Sequence, residues 1–218
     1  MATPHRDPVG TLLCVPTAYE RAVLERVDPD LVAPRPGVTT ALVGFGPVAA
    51  AARAASLIAR EKPERLLLVG IAGAHAGGPE VGEAIEAGEV VLDGVGAGEG
   101  PARLLPSDLG FPQWEDEHGR VDERLELDGE GPLLVTACSA AADAEVALER
   151  AARFPGAAAE DMEAFGVALA ARLAGVPLRV VRGISNRVGD RDRSRWRVEE
   201  ALAAAAVRAR EVLREVAP

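Results

Sequence analysis

The chain has 218 residues, 48% of them hydrophobic, enough to bury the core of one α/β domain. Its net charge of −10 excludes a nucleic-acid backbone as partner, because phosphate binding needs a concentrated basic surface. No apolar run approaches the ~20 residues of a membrane helix, and Met1 to Pro8 carries no apolar signal core, so a cytoplasmic protein with no membrane partner is expected.

Apolar runs bounded by turn residues alternate with segments of helical period, the pattern of an α/β domain. In chain order the reading predicts a strand over Thr11 to Val15, a helix over Ala18 to Val27, a strand over Thr39 to Gly44 and a helix over Val48 to Arg60, which Pro63 closes. A strand over Leu66 to Ile71 and another over Glu89 to Asp93 follow. From Gly94 to Gly131 the pattern fades into a long loop with Phe111 and Trp114 as anchors, a segment placed to cover a pocket or meet a second subunit. Beyond it come a strand over Leu133 to Thr136 and helices over Ala141 to Arg153 and Met162 to Ala174. The second of these ends in Gly175-Val176-Pro177. A strand over Leu178 to Ile184 and a helix over Arg195 to Val216 complete the chain, with Leu202, Ala205, Ala209 and Leu213 on the core face of that helix. No internal repeat or linker divides residues 1–218.

In an open α/β sheet, ligands bind where strand ends and the loops after them converge, so four segments are candidates. Two are glycine-rich: Gly44-Phe45-Gly46-Pro47-Val48 and Gly70 through Gly78. Such turns serve helix packing as readily as close approach to a ligand, and neither has the spacing of a P-loop or a dinucleotide fingerprint. The third, Glu160-Asp161-Met162-Glu163, opens a predicted helix. There its acids complement the macrodipole or cap the first turn, or else a carboxylate holds a sugar diol with Met162 against the ring.

The fourth segment is Arg182-Gly183-Ile184-Ser185-Asn186, where Arg182 and Ser185 are expected to point inward. Asn186 is the only asparagine of the chain; it either forms a turn or serves where one donor and one acceptor are needed side by side. The arginines at 187, 191, 193, 195 and 197 are interspersed with Asp190 and Asp192 and followed by Glu199 and Glu200. They read as an ion-paired loop in preference to a binding patch. Cys14 and Cys138 border apolar runs and are expected to be buried thiols. His5, His75 and His118 are too far apart for ligand spacing, so neither a metal nor another cofactor is expected.

Taken in order, the glycine segments, Met162-Glu163 and Arg182 to Asn186 resemble the nucleoside phosphorylase/nucleosidase superfamily over about Thr11 to Leu202. The resemblance implies a single-domain α/β/α sandwich with a central mixed sheet, a small-molecule nucleoside substrate and a homo-oligomer. It implies Glu163 on the ribose hydroxyls, Met162 packed on the ribose, Glu20 as the base that activates water, and Asn186 at the leaving purine. Gly46, Ala72, Gly73, Met162, Glu163, Arg182 and Ser185 form the implied binding set, Arg182 by positioning Ser185, Asn186 or Glu163. Asp190 and Asp192 remain alternative proton donors.

Two departures from relatives carry chemical content. Methylthioadenosine nucleosidases have an Asp where Asn186 stands. An amide donates toward N7 or O6 and so suits a 6-oxopurine, a choice worth ~1–3 kcal/mol or ten- to hundred-fold. Phosphorylases of the superfamily carry a phosphate-binding arginine where this chain has Leu68, within Leu66-Leu67-Leu68-Val69, and a dianion buried there without a cation would be strongly penalised. Hydrolysis is therefore expected. The combination with Arg191 to Trp196 most resembles the branch that releases hypoxanthine on the route to menaquinone. That branch implies a 5′ substituent ending in a benzoate, received by an arginine or His75 at the mouth. A phosphate-dependent phosphorylase, a methylthioadenosine nucleosidase and a non-catalytic nucleoside-binding protein are the competing readings.

Overall fold

A computed structural model describes residues 10–117 and 119–215. The N-terminal segment Met1 to Pro8, His118 and the predicted helix end at Val216 lie outside the described residues. The strands are β1 (Thr11–Val15), β2 (Val38–Leu42), β3 (Arg65–Ala74), β4 (Ala84–Ala87), β5 (Glu89–Asp93), β6 (Trp114–Asp116), β7 (Gly119–Val121), β8 (Arg124–Glu126), β9 (Leu133–Ala137), β10 (Ala157–Asp161) and β11 (Leu178–Arg187). The helices are α1 (Ala18–Val27), α2 (Pro29–Val32), α3 (Pro47–Glu61), α4 (Pro106–Leu109), α5 (Ala144–Arg153), α6 (Ala164–Ala174) and α7 (Val198–Glu215).

Nine strands form one mixed sheet. β1 and β11 flank β3 in parallel, β9 lies parallel to β5 and β10, and β10 meets the far end of β3 antiparallel at Gly73 and Ala74. Successive side chains of a strand point to opposite faces, and the sequence uses both. Leu12, Cys14, Leu66 and Leu68 pack in one core with α3 and α6; Leu13, Val15, Leu67 and Val69 pack in another with α1, α2 and α7. The result is the expected α/β/α sandwich. Its long central β3 passes beyond β1, and the site lies at that end.

Several boundaries differ from the sequence reading. The second glycine segment is not a loop through Gly73: β3 runs on to Ala74, because β11 and β10 pair with it there. Helix α6 starts at Ala164 rather than Met162, since β10 occupies the acidic residues before it and the Asp161 carboxylate accepts from the Ala164 amide at 2.9 Å. Helix α5 starts at Ala144, capped by Asp143, and α7 at Val198, after a 3-10 turn over Arg193–Arg195 capped by Asp192. The stretch from Gly94 to Gly131 holds α4, the β6–β7 hairpin and β8. Phe111 is exposed there and anchors nothing, whereas Trp114 packs against the core. Cys14 is buried as expected, but Cys138 is exposed, just past the end of β9.

Candidate active site

A cavity of about 830 Å³ opens at the C-terminal ends of β1, β3 and β11, a size suited to a small-molecule ligand. Glu20, Gly73, Met162, Glu163, Ser185 and Asn186 all line it, although they come from four separate stretches of chain. Ala72 lines it as well, while Gly46 and Arg182 stand behind the wall as supports. No described residue between Gly94 and Gly131 borders this cavity, so that segment does not cover it.

Glu20 owes its position to a helix start. Thr17 caps α1, and the Thr17 amide and hydroxyl donate to Glu20 Oε2 at 3.1 and 2.6 Å, completing a capping box. The structural reading of this first-turn glutamate is therefore met, and the same carboxylate lines the cavity. The Ile71 amide donates to Oε1 at 3.0 Å, which ties the helix to β3. A carboxylate has about four lone-pair sites, and three donors leave room for one more.

Glu163 sits at the N-cap of α6 without capping it. Its Oε1 accepts from the Gly46 amide at 3.1 Å, and Gly46 has φ of 84°, a conformation glycine adopts without steric cost. Its Oε2 lies 3.6 Å from Arg182 Nη2. Arg182 is fully buried and also ion-paired to Asp161, which in turn accepts from Thr136 Oγ1 at 2.6 Å. Burial pushes the Glu163 carboxyl up to about 7; the Arg182 charge opposes this, and the Asp161 and Glu20 carboxylates reinforce it. Arg182 thus positions Glu163 and Asp161, and its Nη2 does not reach Ser185 or Asn186.

Asn186 is not in a turn. It belongs to β11, where the register against β3 slips between Ile184 and Asn186, so that Ser185 is the extra residue of a bulge. Bulges re-aim side chains beside active sites. Ser185 Oγ donates to Asn186 Oδ1 at 2.8 Å, and Asn186 Nδ2 donates to the Arg187 carbonyl at 2.8 Å. An amide nitrogen carries two hydrogens, so one remains for a ligand. Gly73 lies opposite: a Cβ there would come within 3.3 Å of Asn186 Nδ2. Gly70 is under harder constraint, since a Cβ would collide with the Arg182 guanidinium and stand 2.7 Å from Glu20 Oε1.

Two expected placements fail. His75 is 2% exposed and absent from the cavity lining, with its pKa lowered to about 4 chiefly by burial, so it receives no ligand at the mouth. Asp190 pairs with Arg195 at 2.8 Å and Asp192 caps the 3-10 turn through Ser194, so neither is aimed into the cavity. The Ser194 hydrogen bonds also hold the Asp192 carboxyl below its usual range, the wrong direction for an acid.

Sequence reasoning missed a buried ion network. Arg150 donates through Nε to Asp93 at 2.6 Å and also binds Glu160, whose other oxygen accepts from the Ala141 amide at 2.9 Å. These contacts hold the loop after β9 against the cavity wall. No local signal in the sequence marks Asp93, 57 positions from Arg150. Among the described residues no group of His, Cys, Asp and Glu has the arrangement to hold a metal, and no helix is long and apolar enough to cross a membrane.

The chain belongs to the Phosphorylase superfamily, whose sequence profile matches residues 31–218. Within that class it is similar to the futalosine hydrolase of Thermus thermophilus, 39% identical over 184 residues that cover 79% of each chain. It is also similar to the futalosine hydrolase of Streptomyces coelicolor, 35% identical over 88% of this chain and 90% of that one. Among solved structures, the fold matches 5′-methylthioadenosine/S-adenosylhomocysteine nucleosidase from Helicobacter pylori, bound to butyl-thio-DADMe-Immucillin-A, with a TM-score of 0.75. Identity is 17%, over 97% of this chain and 100% of that one. Futalosine hydrolase of the same organism matches with a TM-score of 0.73 at 16% identity, over 95% of this chain and 98% of that one. At such identities the structural likeness speaks for the fold.

Proposed function

We propose that the protein is an N-glycosyl hydrolase that cleaves futalosine, a 6-oxopurine nucleoside, and releases hypoxanthine for menaquinone synthesis. The similarity to two futalosine hydrolases over most of the chain supports the class. The observation that carries the substrate reading is an amide, Asn186, sharing one cavity with the carboxylates of Glu163 and Glu20.

Cleavage of the glycosidic bond builds positive charge on the ribosyl ring and negative charge on the departing base, and the site must meet both. Glu163 accepts the ribose hydroxyls and its charge favours the cationic sugar, while Met162 packs on the ring. The free N–H of Asn186 donates to the hypoxanthine as it leaves. Glu20 uses its vacant lone pair to orient a water and take its proton during attack at C1′. Gly73 and Ala72 give the base a flat wall, Ser185 orients Asn186, and Gly46 and Arg182 hold Glu163.

Water is the nucleophile in preference to phosphate. Leu68 is fully buried in the core, and the catalytic end of the cavity presents Glu20 and Glu163, both of which repel a dianion. The enzyme works in the cytosol as a homo-oligomer. The exposed Phe45 and Val48 beside the cavity support an assembly that covers them, which light scattering would detect.

The deciding experiment incubates the protein with futalosine, inosine and methylthioadenosine, each with and without phosphate, and identifies the base released. Hypoxanthine from futalosine at a rate indifferent to phosphate is expected. Adenine as the main product, or a requirement for phosphate, would overturn the reading.

A further inference from the structure

Three neighbouring strands bring one residue each to the same level of the cavity wall. In the central strand β3 that residue is Gly73. It is paired with Asn186 of β11 on one side and with Glu160 of β10 on the other. Residues directly opposite on adjacent strands share a face of the sheet, so Asn186 and Glu160 stand on one face, their backbones roughly 10 Å apart across two strand spacings. Gly73 leaves the ground between them bare, and all three line the cavity. A Cβ at Gly73 would come within 3.3 Å of Asn186 Nδ2 and 3.2 Å of Val188 Cγ2, so a side chain there would intrude on the amide.

Glu160 is a buried carboxylate with partners of its own. Its Oε1 accepts from the Ala141 amide at 2.9 Å, and its Oε2 binds Arg150 Nη1. Pairing with Arg150 offsets the cost of burying the charge, and the Ala141 bond fixes the direction of the group. A carboxylate offers about four lone-pair sites, so two remain after these bonds. Anchoring the loop after β9 does not require a carboxylate in the lining of a ligand cavity, level with Asn186.

We infer that Glu160 is a second reader of the purine, accepting the N1–H of the 6-oxo base while Asn186 donates to its O6 and N7 edge. The inference rests on the proposed release of a 6-oxopurine and extends it to the neighbouring edge of the ring. A 6-oxopurine carries a hydrogen on N1, next to O6, whereas adenine has a bare lone pair at N1 beside its 6-amino group. N1 therefore differs between the two bases whichever of N7 and O6 the amide meets. Adenine in the same pose would set its N1 lone pair against the Glu160 oxygens with no proton between them, a mismatch worth about ten- to hundred-fold in affinity.

The test measures inhibition of futalosine cleavage by hypoxanthine, N1-methylhypoxanthine and adenine, for wild type and Glu160→Gln. Wild type is expected to bind hypoxanthine ~10- to 100-fold more tightly than either of the other bases. In Glu160→Gln one acceptor oxygen becomes a donor, and the preference for hypoxanthine over adenine should fall ~10-fold or more. A role confined to anchoring the loop would weaken both bases together and leave that preference unchanged, which would overturn the inference. So would a wild type that binds N1-methylhypoxanthine as tightly as hypoxanthine. If the variant does not fold, NMR of wild type with isotope-labelled hypoxanthine decides: the N1 proton should be protected from exchange and show a cross-peak to the Ala141 amide proton, and absence of that cross-peak would overturn the inference. Each of these failures spares the hydrolase reading. Failure of wild type to release hypoxanthine from futalosine would instead overturn that reading, and the second reader with it.

Discussion

Ser185 Oγ and Asn186 Oδ1 are joined by a 2.8 Å hydrogen bond, and together with the Nδ2 donation to the Arg187 carbonyl at 2.8 Å it sets which way the Asn186 amide faces. With Nδ2 bonded once to the Arg187 carbonyl, its second N–H remains to meet a ligand, as a 6-oxopurine requires. Asn186→Asp should therefore weaken release of hypoxanthine by about ten- to hundred-fold and admit some adenine nucleoside. Ser185→Ala should have a smaller cost, about two- to tenfold, because the amide loses its orientation but keeps its donor. Steady-state rates with futalosine and methylthioadenosine check both; unchanged hypoxanthine release in Asn186→Asp would refute the base-recognition argument.

The raised pKa of Glu163 links activity and stability with opposite signs. Only the ionised carboxylate favours a cationic sugar, so kcat/KM should fall as pH drops below about 7. Stability runs the other way. A carboxyl whose folded pKa lies above its unfolded value favours folding fully below the unfolded pKa, and that advantage is lost as pH rises through the folded one. Glu163→Gln carries no such charge. Its melting temperature relative to wild type should climb between pH 5 and pH 8, while turnover falls at least ~100-fold. A melting difference that is flat with pH would show the carboxyl to be unperturbed.

At Gly70 both the Glu20 carboxylate and the Arg182 guanidinium lie against the space a Cβ would fill. Gly70→Ala leaves every proposed functional side chain in place yet drives a methyl between them, and something must shift. We expect a loss of about 1–3 kcal/mol in stability, with activity lost beyond what the melting temperature explains. A variant that keeps wild-type kcat/KM would mean that the Glu20 to Arg182 spacing is not critical.

Glu20→Gln tests the remaining carboxylate. The amide can still accept from Ile71, but it cannot take a proton, so kcat should fall ~100-fold or more while KM holds. Thr17→Ala, which removes the hydroxyl that holds Oε2, should lower kcat less and cost about 1 kcal/mol of stability through the lost cap. Equal losses in the two variants would argue that Glu20 acts only as a cap.

Much of this was readable from the chain, for physical reasons that also explain the gaps. β1 and β5 match their expected bounds to the residue, because their continuous apolar runs suit strands buried on both faces. β10, with the sequence Ala-Ala-Ala-Glu-Asp, has no β-branched residue, and its strand character comes from the neighbours β9 and β3. β4 and the β6–β7 hairpin are short and charged and take their form from pairing in the same way. Met162, Glu163, Ser185 and Asn186 were legible as local groupings. The bulge that aims Asn186 was not, since register is a property of two strands. Arg150, Asp93 and Glu160 meet only in the folded chain.

The burial of Leu68, at the position where the resemblance puts the phosphate-binding arginine of phosphorylases, reaches beyond the choice of nucleophile. A sugar freed by water leaves with a plain hydroxyl at its anomeric carbon, and no activated ester survives from which the base could be rejoined. The step acts as a ratchet: once the purine is off, concentration alone does not drive it back on.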